Sequence, residues 1–140
     1  MEHVGVVVDD LEAAIAFFLK LGLVLDGETT VEGRWVDRIV GLNGVRADIA
    51  VVQTPDGRGR LELSRFHSPA DATTERNAPA NAHGIRHILF VVDDVDAVVA
   101  RLGDHGGELM GEIVQYEDSY LLCYIRGPEG IIVELAQELT

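Results

Sequence analysis

The chain has 140 residues, 47% of them hydrophobic, and a formal net charge of −13, which predicts one folded domain and excludes an intrinsically disordered chain. The acidic balance argues against a nucleic-acid partner, since phosphates are bound by Lys and Arg. No apolar run is long enough for a membrane span, no secretory signal pattern is present, and one cysteine cannot form an internal disulfide, so we expect a cytoplasmic protein without a membrane partner.

Two segments, beginning at His3 and His87, are copies of each other. The first reads HVGVVVDDLEAAIA, the second reads HILFVVDDVDAVVA, and seven of the fourteen positions are identical. A second echo pairs LEL at 61–63 with VEL at 133–135, and each of these segments follows a Pro- and Gly-containing turn. The second half is therefore predicted to be a shorter copy of the first.

Each copy predicts a strand, a helix and three further strands, which is an α+β chain of two βαβββ modules. In the first copy the strand covers 3–8, the helix covers Leu11–Leu21, and the later strands lie near 23–30, 46–53 and 59–66. In the second copy the strand covers 86–92, the helix covers 95–105, and the later strands lie near 108–115, 119–126 and 131–137.

An Asp-Asp pair before each helix is suited to capping its N-terminus, and a glycine follows each helix. Residues 31–44 are open between a strand extension, a short helix and a loop. Residues 67–83 are predicted to link module 1, about 1–66, with module 2, about 84–140.

Strand alternation places four polar residues on the face opposite the helices. Because successive side chains of a strand point to opposite faces, the apolar residues that pack under each helix leave these four on the other side: His3, Glu62, His87 and Glu134. Two nitrogen and two oxygen donors suit a divalent metal of intermediate hardness, with water completing its coordination. The alternative is that each is an ordinary surface residue and that duplication alone accounts for the recurrence.

Three more residues are candidates for a substrate pocket. Arg60 shares the face of Glu62, where it could meet an anionic substrate or simply balance the carboxylates. Tyr120 and Tyr124 share one face of their strand and could line the same pocket or pack in the ordinary way. His67, His83 and His105 are expected at the surface, and Cys123 is expected to be inert packing.

The sequence resembles the vicinal oxygen chelate superfamily, also called the glyoxalase/bleomycin resistance protein/dioxygenase family, over essentially the whole chain. The resemblance is carried by HVGVVVDDLE, FF, LGL and GRLEL in the first half, and by GIRHILFVVDD and YIRGPEGIIVEL in the second. The most specific part is the Arg-x-Pro-x-Gly turn before the last strand. Gly127 replaces the family's usual Asp and Phe18 its frequent Tyr, and neither position is a ligand.

The resemblance implies a single domain over 1–140, in which tandem modules form a curved mixed sheet, or cup, with helices on its outer face. In this family the first and last strands of each module supply the ligands of one divalent metal ion, here His3, Glu62, His87 and Glu134. Ni, Co or Zn is expected, with Mn or Fe as further options. A His-Glu-His-Glu set is similar to that of bacterial glyoxalase I.

The implied reaction is proton transfer next to a metal-chelated carbonyl of a small-molecule substrate, as in a lyase or isomerase. Glu134 would take and return the proton, and Glu62 could do so from the opposite face. The family also implies a homodimer. The alternatives are a non-catalytic drug- or metabolite-binding protein, an acyl-CoA epimerase, and an extradiol-type dioxygenase of the same superfamily.

Overall fold

The computed structural model describes residues 1–71 and 75–139. The chain divides into two compact units, Met1–Thr74 and Glu75–Thr140, which we name unit 1 and unit 2. The boundary falls inside the predicted linker 67–83. That both units form one domain over 1–140 stays a prediction.

Unit 1 is a four-stranded mixed sheet with two helices. Its elements are β1 (Val4–Val7), α1 (Leu11–Leu21), β2 (Val24–Glu32), α2 (Arg34–Val40), β3 (Arg46–Gln53) and β4 (Arg60–Ser68). The strand order is β1-β4-β3-β2, with β1 parallel to β4 and the other neighbours antiparallel. Helix α1 packs on β2, β3 and β4, and Phe17, Phe18 and Leu63 are fully buried between the layers.

Unit 2 repeats this plan with a five-stranded mixed sheet. Its elements are β5 (His87–Val91), α3 (Val95–Gly103), β6 (Glu108–Leu109), β7 (Val114–Tyr116), β8 (Tyr120–Arg126) and β9 (Ile132–Glu138). The strand order is β5-β9-β8-β6, and β7 also pairs with β8. Helix α3 packs on β6, β8 and β9, burying Leu102, Val133 and Leu135. Both sheets are curved but not closed, and the predicted α+β class is confirmed.

The predicted helix caps are confirmed. The Asp10 carboxylate accepts a hydrogen bond from the Ala13 amide at 3.0 Å, and the Asp94 carboxylate accepts one from the Ala97 amide at 3.1 Å. Each carboxylate satisfies an amide that has no partner inside its helix, which is worth about 1 kcal/mol per cap. The repeated Asp-Asp sequence therefore fixes where both helices begin.

Three predicted boundaries are wrong. The strand expected over 108–115 is two short strands separated by residues 110–113, of which Met110 still donates a backbone hydrogen bond to Tyr124 of β8. Helix α3 ends at Gly103 rather than at 105. Strand β4 continues to Ser68, two residues into the predicted linker, because it pairs with the start of β3. The rest of the linker that is described, 69–71 and 75–83, holds no helix or strand, and residues 72–74 lie outside the described residues.

Each of the three options for 31–44 occurs in part: a strand extension to Glu32, a short helix, and a loop over 41–44. Strand β2 runs on to Glu32, and α2 follows between two glycines with positive φ, Gly33 at 113° and Gly41 at 76°. No helix in the described parts of the chain is long and apolar enough to cross a membrane.

Candidate metal and substrate site

In unit 1, His3 and Glu62 are brought together by the parallel pairing of β1 with β4. The register places Glu62 beside Gly5, two residues after His3. Nε2 of His3 lies 3.3 Å from Oε2 of Glu62. Both side chains are partly exposed, so this pair can be reached from solvent.

In unit 2, His87 and Glu134 are brought together by the equivalent pairing of β5 with β9. The register places Glu134 beside Leu89, which is again two residues after the histidine. Nε2 of His87 lies 3.1 Å from Oε2 of Glu134. The Glu134 side chain is 16% exposed and that of Glu62 is 33% exposed. The two units thus build the same pair of atoms from the same register, with the carboxylate of unit 2 more buried.

The second ring nitrogen of each histidine faces an oxygen. Nδ1 of His3 contacts Oε2 of Glu2, and Nδ1 of His87 lies 3.3 Å from the Tyr124 hydroxyl. An oxygen acceptor at Nδ1 favours the tautomer that carries its proton there, which leaves the Nε2 lone pair free. Histidines that bind metals characteristically have such a partner behind them. In both units Nε2 faces the carboxylate and Nδ1 faces a second oxygen, so a metal bound at Nε2 would leave the ring proton on Nδ1 with a partner.

Arg60 lies among acidic groups. Its Nε is 3.1 Å from Oε1 of Glu2, and its terminal nitrogens reach Asp26 at 3.3 Å and Gln53 at 3.1 Å. The pKa of the Glu2 carboxyl is lowered, first by its hydrogen bond with His3 and then by the positive charge of Arg60. Arg60 thus holds Glu2, the residue that contacts His3.

Tyr124 and Tyr120 occupy different surroundings on β8. Tyr124 lies opposite Glu134 in the ladder, and its ring centroid is 4.9 Å from that of His87. Burial, followed by the nearby Glu134 charge, raises the pKa of the Tyr124 hydroxyl. Tyr120 lies opposite Glu138 at the exposed start of the strand. Of the two tyrosines, Tyr124 is the one in contact with a candidate ligand.

The candidate ligands form two pairs, one in each unit. Within residues 1–71 and 75–139, no group of three or more His, Cys, Asp or Glu side chains is arranged to hold a metal ion. The donor types fit a divalent metal, since each pair offers one imidazole nitrogen and one carboxylate oxygen.

The burial of Cys123 raises the pKa of its thiol, which fits the inert packing role expected of it.

Two features beside the candidate ligands were not predicted from the sequence. Glu2 precedes the repeat proper, and its counterpart in the second half is Arg86, so the repeat gives no signal for it. The other feature is a pocket of about 300 Å³ between α2 and the sheet of unit 1, which we name the α2 pocket. Glu62 lines this pocket, and so does Trp35, which lies in the segment that the sequence left open.

Comparisons with known proteins agree with this architecture. The sequence profile of the Glyoxalase/Bleomycin resistance protein/Dioxygenase superfamily matches residues 1–135. A glyoxalase family protein from Bacillus cereus is 51% identical with a TM-score of 0.96, over 100% of this chain and 94% of that one. The uncharacterized protein YaeR of Escherichia coli is 27% identical, over 99% of this chain and 95% of YaeR. The trypanothione-dependent glyoxalase I of Leishmania major shares the fold, with a TM-score of 0.67 and 22% identity. This match covers 99% of this chain and 86% of the Leishmania chain.

Proposed function

The chain belongs to the glyoxalase/bleomycin resistance protein/dioxygenase superfamily, and from that premise we propose that it is a metal-dependent lyase or isomerase of the glyoxalase type. The proposed reaction transfers a proton at the carbon next to the carbonyl of a small molecule. An α-hydroxycarbonyl, a thiohemiacetal and an acyl thioester are the substrate classes with such a carbon. A homodimeric, cytoplasmic enzyme is part of the same proposal.

The observation that carries the proposal is the repeated His–Glu pair. His3 with Glu62 and His87 with Glu134 have the same strand register, the same Nε2 and Oε2 atoms and an oxygen behind Nδ1. We propose that His3, Glu62, His87 and Glu134 are ligands of a divalent ion, which is Ni, Co or Zn, with Mn or Fe as further options. Two ordinary surface ion pairs would not require an oxygen at Nδ1 of each histidine in addition to the carboxylate at Nε2.

In this proposal the carboxylates move the proton. The bound metal would supply Lewis acidity that polarises the substrate carbonyl and lowers the pKa of the adjacent C–H group. Glu134 takes the proton and returns it to the neighbouring carbon, since it is the more buried of the two carboxylates. Glu62, the equivalent carboxylate of unit 1, is the second candidate base. His3 and His87 would serve as ligands of the metal and take no part in the proton transfer.

Deuterium exchange tests this chemistry without knowledge of the natural substrate. Hydroxyacetone is incubated in D₂O with the Ni²⁺-loaded protein, and loss of its CH₂ signal is followed by proton NMR. We expect exchange faster than with chelator-treated protein, and a loss of roughly 100-fold in Glu134→Gln, as for removal of a general base. Glu138→Gln, at the exposed end of β9, is the matched control and should keep full activity. Equal exchange with and without metal, or full activity in Glu134→Gln, would refute the proposal.

The second candidate function is non-catalytic binding of a small drug-like or metabolite molecule. The observation that favours it is the α2 pocket, whose apolar lining could hold such a molecule without any chemistry. The deuterium experiment separates the two functions, because a binding protein would leave the CH₂ signal unchanged.

A further inference from the structure

Helix α2 breaks the symmetry between the two units. It lies between β2 and β3 of unit 1, whereas the described residues of unit 2 contain no helix between β6 and β8. The βαβββ plan is complete without it, as unit 2 demonstrates. The helix therefore adds something to unit 1 that the fold itself does not require.

What α2 adds is the apolar wall of the α2 pocket. The buried part of the pocket lining is formed by Val36 of α2 with Val45 and Ala47, and Phe66 packs against these three residues. Glu62, Ser64 and Phe66 are alternate residues of β4 and form one row on the sheet side of the pocket, and Glu62 at the end of this row contacts His3. Among the described lining residues, Glu62 carries the single charge. The pocket is therefore apolar apart from the carboxylate and hydroxyl of this row.

Hydrogen bonds anchor α2 and the loop that follows it. The Asp37 carboxylate accepts hydrogen bonds from the amides of Gly44 at 3.1 Å and Val45 at 2.8 Å, which ties α2 to the start of β3. Gly41 ends the helix in the left-handed conformation, with φ at 76°. The Ser68 hydroxyl donates to the Gly44 carbonyl at 2.7 Å. Because these contacts fix both α2 and its loop, this side of the pocket is preorganised, which lowers the ordering cost of binding a ligand.

The mouth of the pocket is exposed and apolar. Trp35 is 57% exposed and Ile39 is 74% exposed, and both line the pocket. Large apolar side chains left in water are stabilised when an apolar group covers them. A negatively charged group would be repelled by Glu62, and a volume of about 300 Å³ suits a ring or a short branched chain.

We propose that the α2 pocket binds a compact, uncharged apolar group, such as a phenyl ring or a branched alkyl chain, carried by the small-molecule substrate. The role of Glu62 as a metal ligand beside that group rests on the proposed function. The preference of the pocket for an apolar group does not. The substrate would then present its carbonyl end to the His3–Glu62 pair and its apolar end to Trp35 and Ile39.

Trp35 is the single tryptophan of the chain, so its fluorescence reports on the pocket directly. The chelator-treated protein is titrated with benzamide and with acetamide, which share a neutral amide and differ in a phenyl against a methyl group. We expect saturable quenching by benzamide, with a dissociation constant at least roughly tenfold below that of acetamide, from burial of the ring. Ile39→Asp should weaken benzamide binding by roughly tenfold. Leu19→Asp, on the exposed side of α1 where Leu19 is 39% exposed, is the matched control and should bind as the parent does.

Equal affinity for the two amides, or equal effects of Ile39→Asp and Leu19→Asp, would overturn the proposal. Circular dichroism melts show whether each variant is folded, and Val40→Thr, also at the mouth, gives a second and milder test with the same expected direction. Because the titration uses metal-free protein, its outcome is separate from that of the metal-dependent function. A protein that binds no metal but prefers benzamide would refute the proposed reaction and support the pocket.

Discussion

The Tyr124 hydroxyl lies 3.3 Å from Nδ1 of His87, while Nε2 of the same ring lies 3.1 Å from Glu134. The two rings also contact each other at 43° between planes. The tyrosine therefore contacts the imidazole both through its ring and through its hydroxyl, and these contacts hold the orientation of the imidazole. It is a positioning residue for His87 in the proposed metal site.

Tyr124→Phe keeps the ring contact and removes the oxygen, so we expect metal affinity to fall by roughly tenfold. The measurement is calorimetric titration with Zn²⁺. Nitrogen NMR of metal-free protein gives an independent readout, in which the His87 tautomer population should shift toward protonated Nε2. Tyr120→Phe, on the same strand face, should change neither quantity. An unchanged tautomer in Tyr124→Phe would exclude the positioning role.

Glu2 contacts Nδ1 of His3, as Tyr124 contacts Nδ1 of His87. In Glu2→Gln we expect weaker metal binding, again by roughly tenfold, because the charged acceptor at Nδ1 and its ion pair with Arg60 are lost. Glu12→Gln, on the exposed face of α1, controls for the loss of one negative charge. If both variants bind Zn²⁺ equally well, Glu2 contributes only general electrostatics.

Alternation and repetition made the His–Glu pairs predictable. The two-residue period of a strand fixes which face a side chain occupies, and the repeat supplies the same face in both units. The register then places each glutamate beside the residue two positions after its histidine, at Gly5 and at Leu89. Both the fold class and the family resemblance are confirmed because they depend on these regular features.

The parts of the fold and site that the sequence did not predict depend on irregular local structure. Helix α2 has seven residues, and its limits are set by the positive φ angles of Gly33 and Gly41, which a hydrophobic pattern does not encode. The break between β6 and β7 lies inside an apparently continuous strand pattern. The contact of Glu2 with His3 joins two adjacent residues just before β1, outside any periodic element.

Asp37→Ala should destabilise unit 1, because the Gly44 and Val45 amides lose their acceptor. We expect the free energy of unfolding to fall by about 1–3 kcal/mol, the cost of buried or partly buried groups left without a partner. Urea unfolding followed by Trp35 fluorescence measures it, and the exposed Asp118→Ala is the control. A change no larger than that of the control would show that the loop does not depend on Asp37.

The exposed pair of His67 and Asp48 predicts a pH-dependent contribution to stability. Nε2 of His67 lies 2.7 Å from Asp48, and this hydrogen bond, followed by one from Thr30, lowers the pKa of the Asp48 carboxyl below its ordinary 3.8. A carboxyl with a lowered pKa in the folded state stabilises the protein above its unfolded pKa. That contribution is lost as the pH falls through the folded value.

Asp48→Asn should therefore lower the melting temperature at pH 6, and its difference from the parent should shrink below about pH 3.8. Thermal melts of both proteins from pH 3 to pH 7 measure the difference. The nearby exposed Glu28→Gln serves as the control for charge. A difference that stays constant across this range would mean that Asp48 acts through something other than its charge.

Metal content tests the central claim most directly. The protein is purified without chelator and analysed by inductively coupled plasma mass spectrometry, together with His3→Ala and His87→Ala. The proposal predicts about one divalent ion per chain and loss of the metal in both variants, because each variant removes a proposed ligand. No bound metal, no affinity for added Ni²⁺, Co²⁺, Zn²⁺ or Mn²⁺, or full retention of metal by either variant would contradict it.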